Sequence, residues 1–302
     1  MQLTGKRVIR TYTGPTDKLC MLFVYILSIA ALLVILVPLV FILAASFSSP
    51  EALLSAKVFL WPVEFNLRGY SMILEHSTLL NGFRNTIAYA VLGTCINVVM
   101  TILAAYPLSR KDLKVRGFVM FLFSFTMLFN GGMIPTYLLV KDLRMLDTIW
   151  AMVIPNALAV WNVIITRTYF QSTIPDEMLE SASIDGCDDF TFLIKMVIPL
   201  SASIIAVNVL LYAVSHWNSY FNAMMYLNKA ERYPLQLVLR DILLQDETAS
   251  VTMDVSRYME KQKLRYLLQY STIVVSTVPV MLLYPLVQRY FVKGMMVGAV
   301  KG

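Results

Sequence analysis

Asn208, Tyr212, His216 and Tyr220 recur at every fourth position, so a helix through them would carry all four on one face. Trp217 and Asn218 adjoin that face. Aromatic rings that pack on C–H groups and amides that reach hydroxyls suit a sugar. The same groups also suit hydrogen bonding between helices, and their spacing leaves both readings open. Asn97 and Thr101, and further along Asn156, Trp161 and Asn162, are weaker candidates of the same kind. Catalysis has fewer candidates. The chain has two histidines, His76 and His216, and no carboxylate inside any long apolar stretch, so no acid–base pair or activated nucleophile is expected. Cys20, Cys95 and Cys187 lack metal-ligand spacing, so no metal site is expected. The phosphate-loop pattern G-x-x-x-x-G-K-[ST] does not occur, so this chain is not expected to hydrolyse ATP.

A second set of residues is charged. Asp176, Glu177, Glu180, Asp185, Asp188 and Asp189 stand against Arg167 and Lys195. Thr173 as a cap, Pro175 in the first turn and the acids after it predict a short helix. Met178, Leu179 and Ala182 form its apolar face, and Gly186 is a natural stop. Asp188 or Asp189 can cap a second helix that carries Phe190, Leu193, Ile194 and Val197, and Pro199 marks the next element. A helix–turn–helix with an apolar face and an acidic rim could dock another protein. It could equally pack only on its own bundle.

The elements that must position these residues follow from where charge is missing. Of 302 residues, 58% are hydrophobic and 15% charged, with mean hydropathy +0.67, which excludes both a one-domain cytosolic enzyme and a disordered chain. Six long stretches contain no Asp, Glu, Lys or Arg: Leu19–Pro50, Asn85–Ser109, Gly117–Val140, Thr148–Thr166, Met196–Asn228 and Tyr266–Gln288. About 20 apolar residues suffice to cross the hydrocarbon layer as a helix. The expectation is therefore an all-α integral membrane protein of six spans, about 19–47, 85–109, 117–140, 148–166, 199–224 and 266–288. The first apolar run is too long for a secretory signal and is read as an uncleaved span.

Net charge is +6. Lys6, Arg7, Arg10 and Lys18 precede the first span, Arg110, Lys111, Lys114 and Arg116 follow the second, and Arg289, Lys293 and Lys301 close the chain. Six spans put all three groups on one side, which is the cytoplasm, so both termini are expected inside. The basic excess reads as membrane flanking, with no nucleic-acid partner. Residues 1–18 form a cytoplasmic segment, and 19–302 form the membrane domain. The acidic loop 170–198 faces the cytoplasm, and 48–84 and 225–265 face outward. The last of these carries many basic residues as well as acids, but long loops translocate largely regardless of charge.

Glu180-Ser-Ala-Ser-Ile-Asp185-Gly186, with Met196-Val-Ile198-Pro199 ten residues on, resembles the EAA motif of binding-protein-dependent ABC importer permeases. Glu180, Ala182, Gly186 and Pro199 fall in register, with Ser181, Met196 and Ile198 as mild departures. Asp185 before the glycine resembles the carbohydrate branch. The C-terminal Gln288-Arg-Tyr-Phe-Val-Lys-Gly294 and Gly298-Ala-Val-Lys-Gly302 resemble the maltose-permease G-like subunits. Phe129-Asn-Gly-Gly-Met-Ile-Pro-Thr-Tyr137 is similar to the LplC/YtcP-like group.

The resemblance implies a multi-pass subunit of an oligosaccharide importer in the bacterial cell membrane. Its partners would be a second homologous permease, two ATPase subunits that bind ATP and Mg, an extracytoplasmic solute-binding protein, the carbohydrate and membrane lipid. It favours the docking reading of the acidic loop: Met178, Leu179, Glu180, Ala182, Asp185, Gly186 and Phe190 would meet the ATPase. Asn208, Tyr212, His216, Trp217 and Asn218 would line the sugar path. A secondary transporter is the alternative, but the intramembrane carboxylates that serve ion coupling are missing from the six stretches. A membrane scaffold subunit is the other alternative.

Overall fold

A computed structural model describes residues 14–244 and 255–299, and every described regular element is helical. The expected inner segment 1–18 therefore lies largely outside the described residues, as do 245–254 of the outer loop and Lys301 and Gly302 of the tail. In chain order the helices are α1 (Pro15–Ser46), α2 (Pro50–Leu54), α3 (Arg68–Glu75), α4 (Ser77–Ser109), α5 (Arg116–Leu128) and α6 (Met133–Asp142). Then come α7 (Ile149–Val153), α8 (Val160–Thr173), α9 (Asp176–Ile184) and α10 (Asp189–Phe192). A π-helical turn, Leu193–Val197, leads into α11 (Ile198–Leu200), followed by α12 (Ala202–Trp217), α13 (Tyr220–Tyr226), α14 (Leu235–Leu244) and α15 (Val255–Ala299).

Among the described residues, three helical stretches are long and apolar enough to cross a membrane: Thr16–Ser46, Ser77–Ser109 and Gln262–Pro285. Two bent pairs raise the count to five if each is one span, α5 with α6 at 110° and Asp189–Leu200 with α12 at 82°. The stretch 148–166, expected as one span, folds as α7 and the start of α8 with residues 154–159 between them. Pro155 explains part of that break, since it has no amide hydrogen to donate to a helical ladder. Between α5 and α6 the chain turns at Gly132, whose φ of +88° favours a residue without Cβ.

The long α4 is the centre of the bundle and packs against α12, α8 and α14. Two glycines of α4 stand where neighbouring helices come close. A Cβ on Gly93 would lie 2.4 Å from His216 Nε2 of α12, and one on Gly82 would lie 3.2 Å from the Leu235 backbone of α14. The α15 helix packs against α12, α3 and α1. The apolar side chains of α1 stay largely outside this core: Leu19, Phe23, Val34 and Ile35 are all exposed, as a lipid-facing helix requires.

Candidate functional site

The polar stripe of α12 lies inside the bundle. Asn208 donates from Nδ2 to Thr166 Oγ1 of α8 at 2.7 Å. The Tyr212 hydroxyl shares a hydrogen bond with Thr101 Oγ1 of α4 at 2.7 Å and accepts from the Ala159 amide at 3.2 Å. His216 Nε2 lies 3.1 Å from Asn97 Oδ1, whose amide donates to the Asn156 carbonyl at 2.6 Å. Trp217 donates from Nε1 to the Ser276 carbonyl of α15 at 3.0 Å and meets Phe83 edge-on. Asn208, Tyr212, His216 and the adjoining Trp217 are all buried. Of the two readings left open by spacing, the structure shows the interhelical one for Asn208 and Trp217. A buried polar group in a membrane bundle is costly unless paired, and pairing across helices is the available solution. Tyr220, the fourth member, begins α13 beyond the turn at Asn218 and is exposed.

Tyr212 and His216 nevertheless show one edge to a cleft of about 540 Å³ between the 156–162 segment and the α12–α13 turn. Asn156, Trp161, Asn218, Phe221 and Asn222 also line it. Trp161 is 59% exposed, so its ring is available to a ligand. Asn218 is exposed but donates to the Val214 carbonyl of its own helix at 2.9 Å. Phe221 and Asn222 did not emerge from the sequence. The helix stops at Asn218 and α13 starts anew at Tyr220, so a pattern assuming one continuous helix could not include them.

The acidic loop folds as the expected helix–turn–helix, with different contacts. Pro175 is the N-cap of α9 and makes no side-chain cap, while Thr173 ends α8 and leaves its hydroxyl buried without a hydrogen bond. Gly186 has φ +75°, the left-handed conformation that a helix stop favours. Asp188 caps α10, accepting from the Phe190 and Thr191 amides at 3.2 Å each. The Thr191 hydroxyl, followed by those amides, holds the Asp188 carboxyl below the usual carboxylate range.

Met178, Leu179 and Ala182 pack on the chain's own core of Phe170, Phe192, Leu193 and Val197. An amphipathic face buries against the nearest apolar surface, and that surface belongs to this chain. The outward apolar side chains are Ile184, 86% exposed, and Phe190, 62% exposed. Glu180, Asp185 and Gly186 are exposed beside them. Part of the acidic rim is already paired within the chain. Asp189 meets Arg110, and Asp176 meets Lys111, both cations from the end of α4. Charge complementarity between the 110–116 and 176–189 segments was visible in the sequence as that signal.

Residues 97–251 match the family described as binding-protein-dependent transport system inner membrane component. The polygalacturonan/rhamnogalacturonan transport system permease protein YtcP of Bacillus subtilis is 40% identical over 271 residues, 89% of this chain and 94% of that protein. Protein LplC of Bacillus subtilis is 37% identical over 267 residues, 88% of this chain and 90% of that one. The crystal structure of a bacterial ABC transporter that imports the acidic polysaccharide alginate includes a chain with TM-score 0.84 and 32% identity. That match covers 93% of this chain and 99% of its counterpart.

Proposed function

The chain belongs to the binding-protein-dependent transport system inner membrane components, as a carbohydrate ABC transporter permease, and from that premise we propose that it passes an acidic, uronate-containing oligosaccharide into the bacterial cell. Two relatives, by their names and titles, serve polygalacturonan/rhamnogalacturonan and alginate. The observation that carries the reading to this chain is the cleft beside α12. Its lining combines an exposed indole, Trp161, with the amides of Asn156, Asn218 and Asn222, and among the described residues it includes no carboxylate. A uronate would meet hydrogen-bond donors and a ring face there without like-charge repulsion.

The pathway is completed by a second permease subunit, and an extracytoplasmic solute-binding protein delivers the sugar. ATP and Mg are held by two separate ATPase subunits. The contact to them is the outward side of the α9–α10 hairpin: Glu180, Ile184, Asp185, Gly186 and Phe190. Met178, Leu179 and Ala182 anchor that hairpin to the bundle from behind.

The test is uptake by the complete reconstituted transporter. Labelled oligogalacturonides are expected to accumulate in preference to neutral oligosaccharides of equal length. Trp161→Ala and Asn222→Ala are expected to raise KM, each by roughly tenfold for a lost ring contact or hydrogen bond. Equal uptake of neutral and acidic sugars would refute the uronate reading. Unchanged KM in both variants would remove the cleft from the path.

A further inference from the structure

The last carbonyls of a helix have no partner within it. Those of α4 are met from two other helices. Arg167 of α8 donates from Nε to the Leu108 carbonyl at 2.8 Å, and Gln171 of α8 donates to the Ser109 carbonyl at 3.3 Å. Arg116 of α5 donates from Nη1 to the Arg110 carbonyl at 3.0 Å. Two consecutive cations then reach toward the hairpin. Arg110 meets Asp189, the first residue of α10, and Lys111 meets Asp176, the first residue of α9. Both helices of the hairpin are thus fastened to one point, the cytoplasmic end of α4.

The two fastenings differ in strength. The Lys111 side chain is 74% exposed, and such a pair in water contributes little. The Arg110 side chain is only 16% exposed. It grips Asp112 through Nε at 2.9 Å and Nη2 at 2.6 Å and donates to the Tyr106 hydroxyl at 3.1 Å, so its guanidinium is held in place before it meets Asp189. A pre-oriented, bidentate arginine loses less freedom per contact than a free lysine.

The covalent route from the hairpin to α12 is weaker mechanically. It passes through the π-helical turn Leu193–Val197 and then the 82° bend before Ala202. Both are places where a helix yields. The α4 helix runs for 33 residues without a break, with Pro107 confined to its last turn. It joins α12 through the Thr101–Tyr212 and Asn97–His216 contacts, and at its other end Asn85 and Tyr89 donate to the carbonyls of Glu231, Tyr233 and Arg232.

We propose that Arg110 is a positioning residue for energy coupling: its clasp on Asp189 makes α4, rather than the chain's own continuation into α12, the rod that carries hairpin displacement into the bundle. The proposal rests on the reading of this chain as a permease driven by a separate ATPase. Arg110 touches neither sugar nor nucleotide in this account, and it acts through Asp189 alone.

The experiment measures sugar moved per ATP hydrolysed in vesicles holding the complete transporter, with retention of the ATPase subunits on purification as the assembly control. Arg110→Gln and Asp189→Asn are each expected to lower the ratio by roughly two- to thirtyfold, the usual range for a broken coupling contact, while the ATPase stays bound. The double variant is expected to be no worse than the poorer single, because both break one contact. Arg110→Lys is expected to recover part of the loss. Asp189 is well exposed, so Asp189→Asn keeps the measurement available if Arg110→Gln fails to assemble. Wild-type ratios in the assembled variants, or losses that add in the double, would overturn the clasp alone. A wild-type transporter with no ATP-driven uptake would overturn the permease reading and the clasp with it.

Discussion

Gly93 shows how one missing Cβ sets the distance between two helices. The His216 ring occupies the space that a Cβ would need, with three ring atoms within 2.7 Å of it. Gly93→Ala is expected to force α4 and α12 apart and to cost about 1–3 kcal/mol, as overpacked cores do. Thermal unfolding in detergent should show a lowered Tm, with Gly131→Ala as the control, since nothing lies within 4 Å of that position. An unchanged Tm in Gly93→Ala would mean that the histidine relaxes freely. The stripe at Asn208, Tyr212 and His216 teaches a related point. Its four-residue spacing was legible in the sequence, but a polar stripe facing a cavity and one facing neighbouring helices have the same spacing. The structure pairs the stripe with Thr166, Thr101 and Asn97, which lie far from it in the sequence, while Tyr212 and His216 also edge the cleft.

At the scale of elements, the hairpin of α9 and α10 was the most legible part of the chain. Its stop at Gly186, its cap at Asp188 and its amphipathic face all follow from local rules that need no tertiary knowledge. What covers that face does need such knowledge, and there the local pattern pointed outward where the bundle supplies its own apolar wall. Ile184→Asp is therefore expected to leave the permease inserted and folded but to lose the ATPase on co-purification. Met178→Asp should instead expose the hairpin to proteolysis, because a carboxylate would enter the core. The reverse pattern would restore the outward assignment of Met178.

The Asp188 cap adds a pH dependence. Its carboxyl is depressed in the folded hairpin, so its stabilising contribution is complete above the unfolded value of about 4. That contribution is lost as pH falls through the lower folded value. Hydrogen exchange at the Phe190 and Thr191 amides should accelerate on acidification below about pH 4 in the wild type, and Asp188→Ala should show fast exchange throughout. Pro155 and Gly132 stand at breaks in stretches read as continuous spans, and composition gives no bend angle. The 110° and 82° turns were accordingly not legible.

At the scale of the molecule, the expectation of six continuous spans meets, among the described residues, three long helices and two bent pairs, with α7 and α8 in the remaining stretch. Topology is decided by access. In a chain with its native cysteines replaced, Lys57→Cys is expected to react with an impermeant reagent from outside, and Ser183→Cys only after the membrane is opened. Both positions are exposed. The opposite pattern would invert the arrangement and place the hairpin away from any cytoplasmic ATPase. The central claim is that ATP hydrolysed elsewhere drives an acidic oligosaccharide through a pathway that includes this chain. Its most direct test is accumulation of labelled oligogalacturonide in vesicles containing the complete transporter and its solute-binding protein, with and without ATP. The account predicts ATP-dependent accumulation that is abolished when Ile184→Asp replaces the wild-type chain. Accumulation that proceeds without ATP, or that persists undiminished with the Ile184→Asp chain, would contradict it.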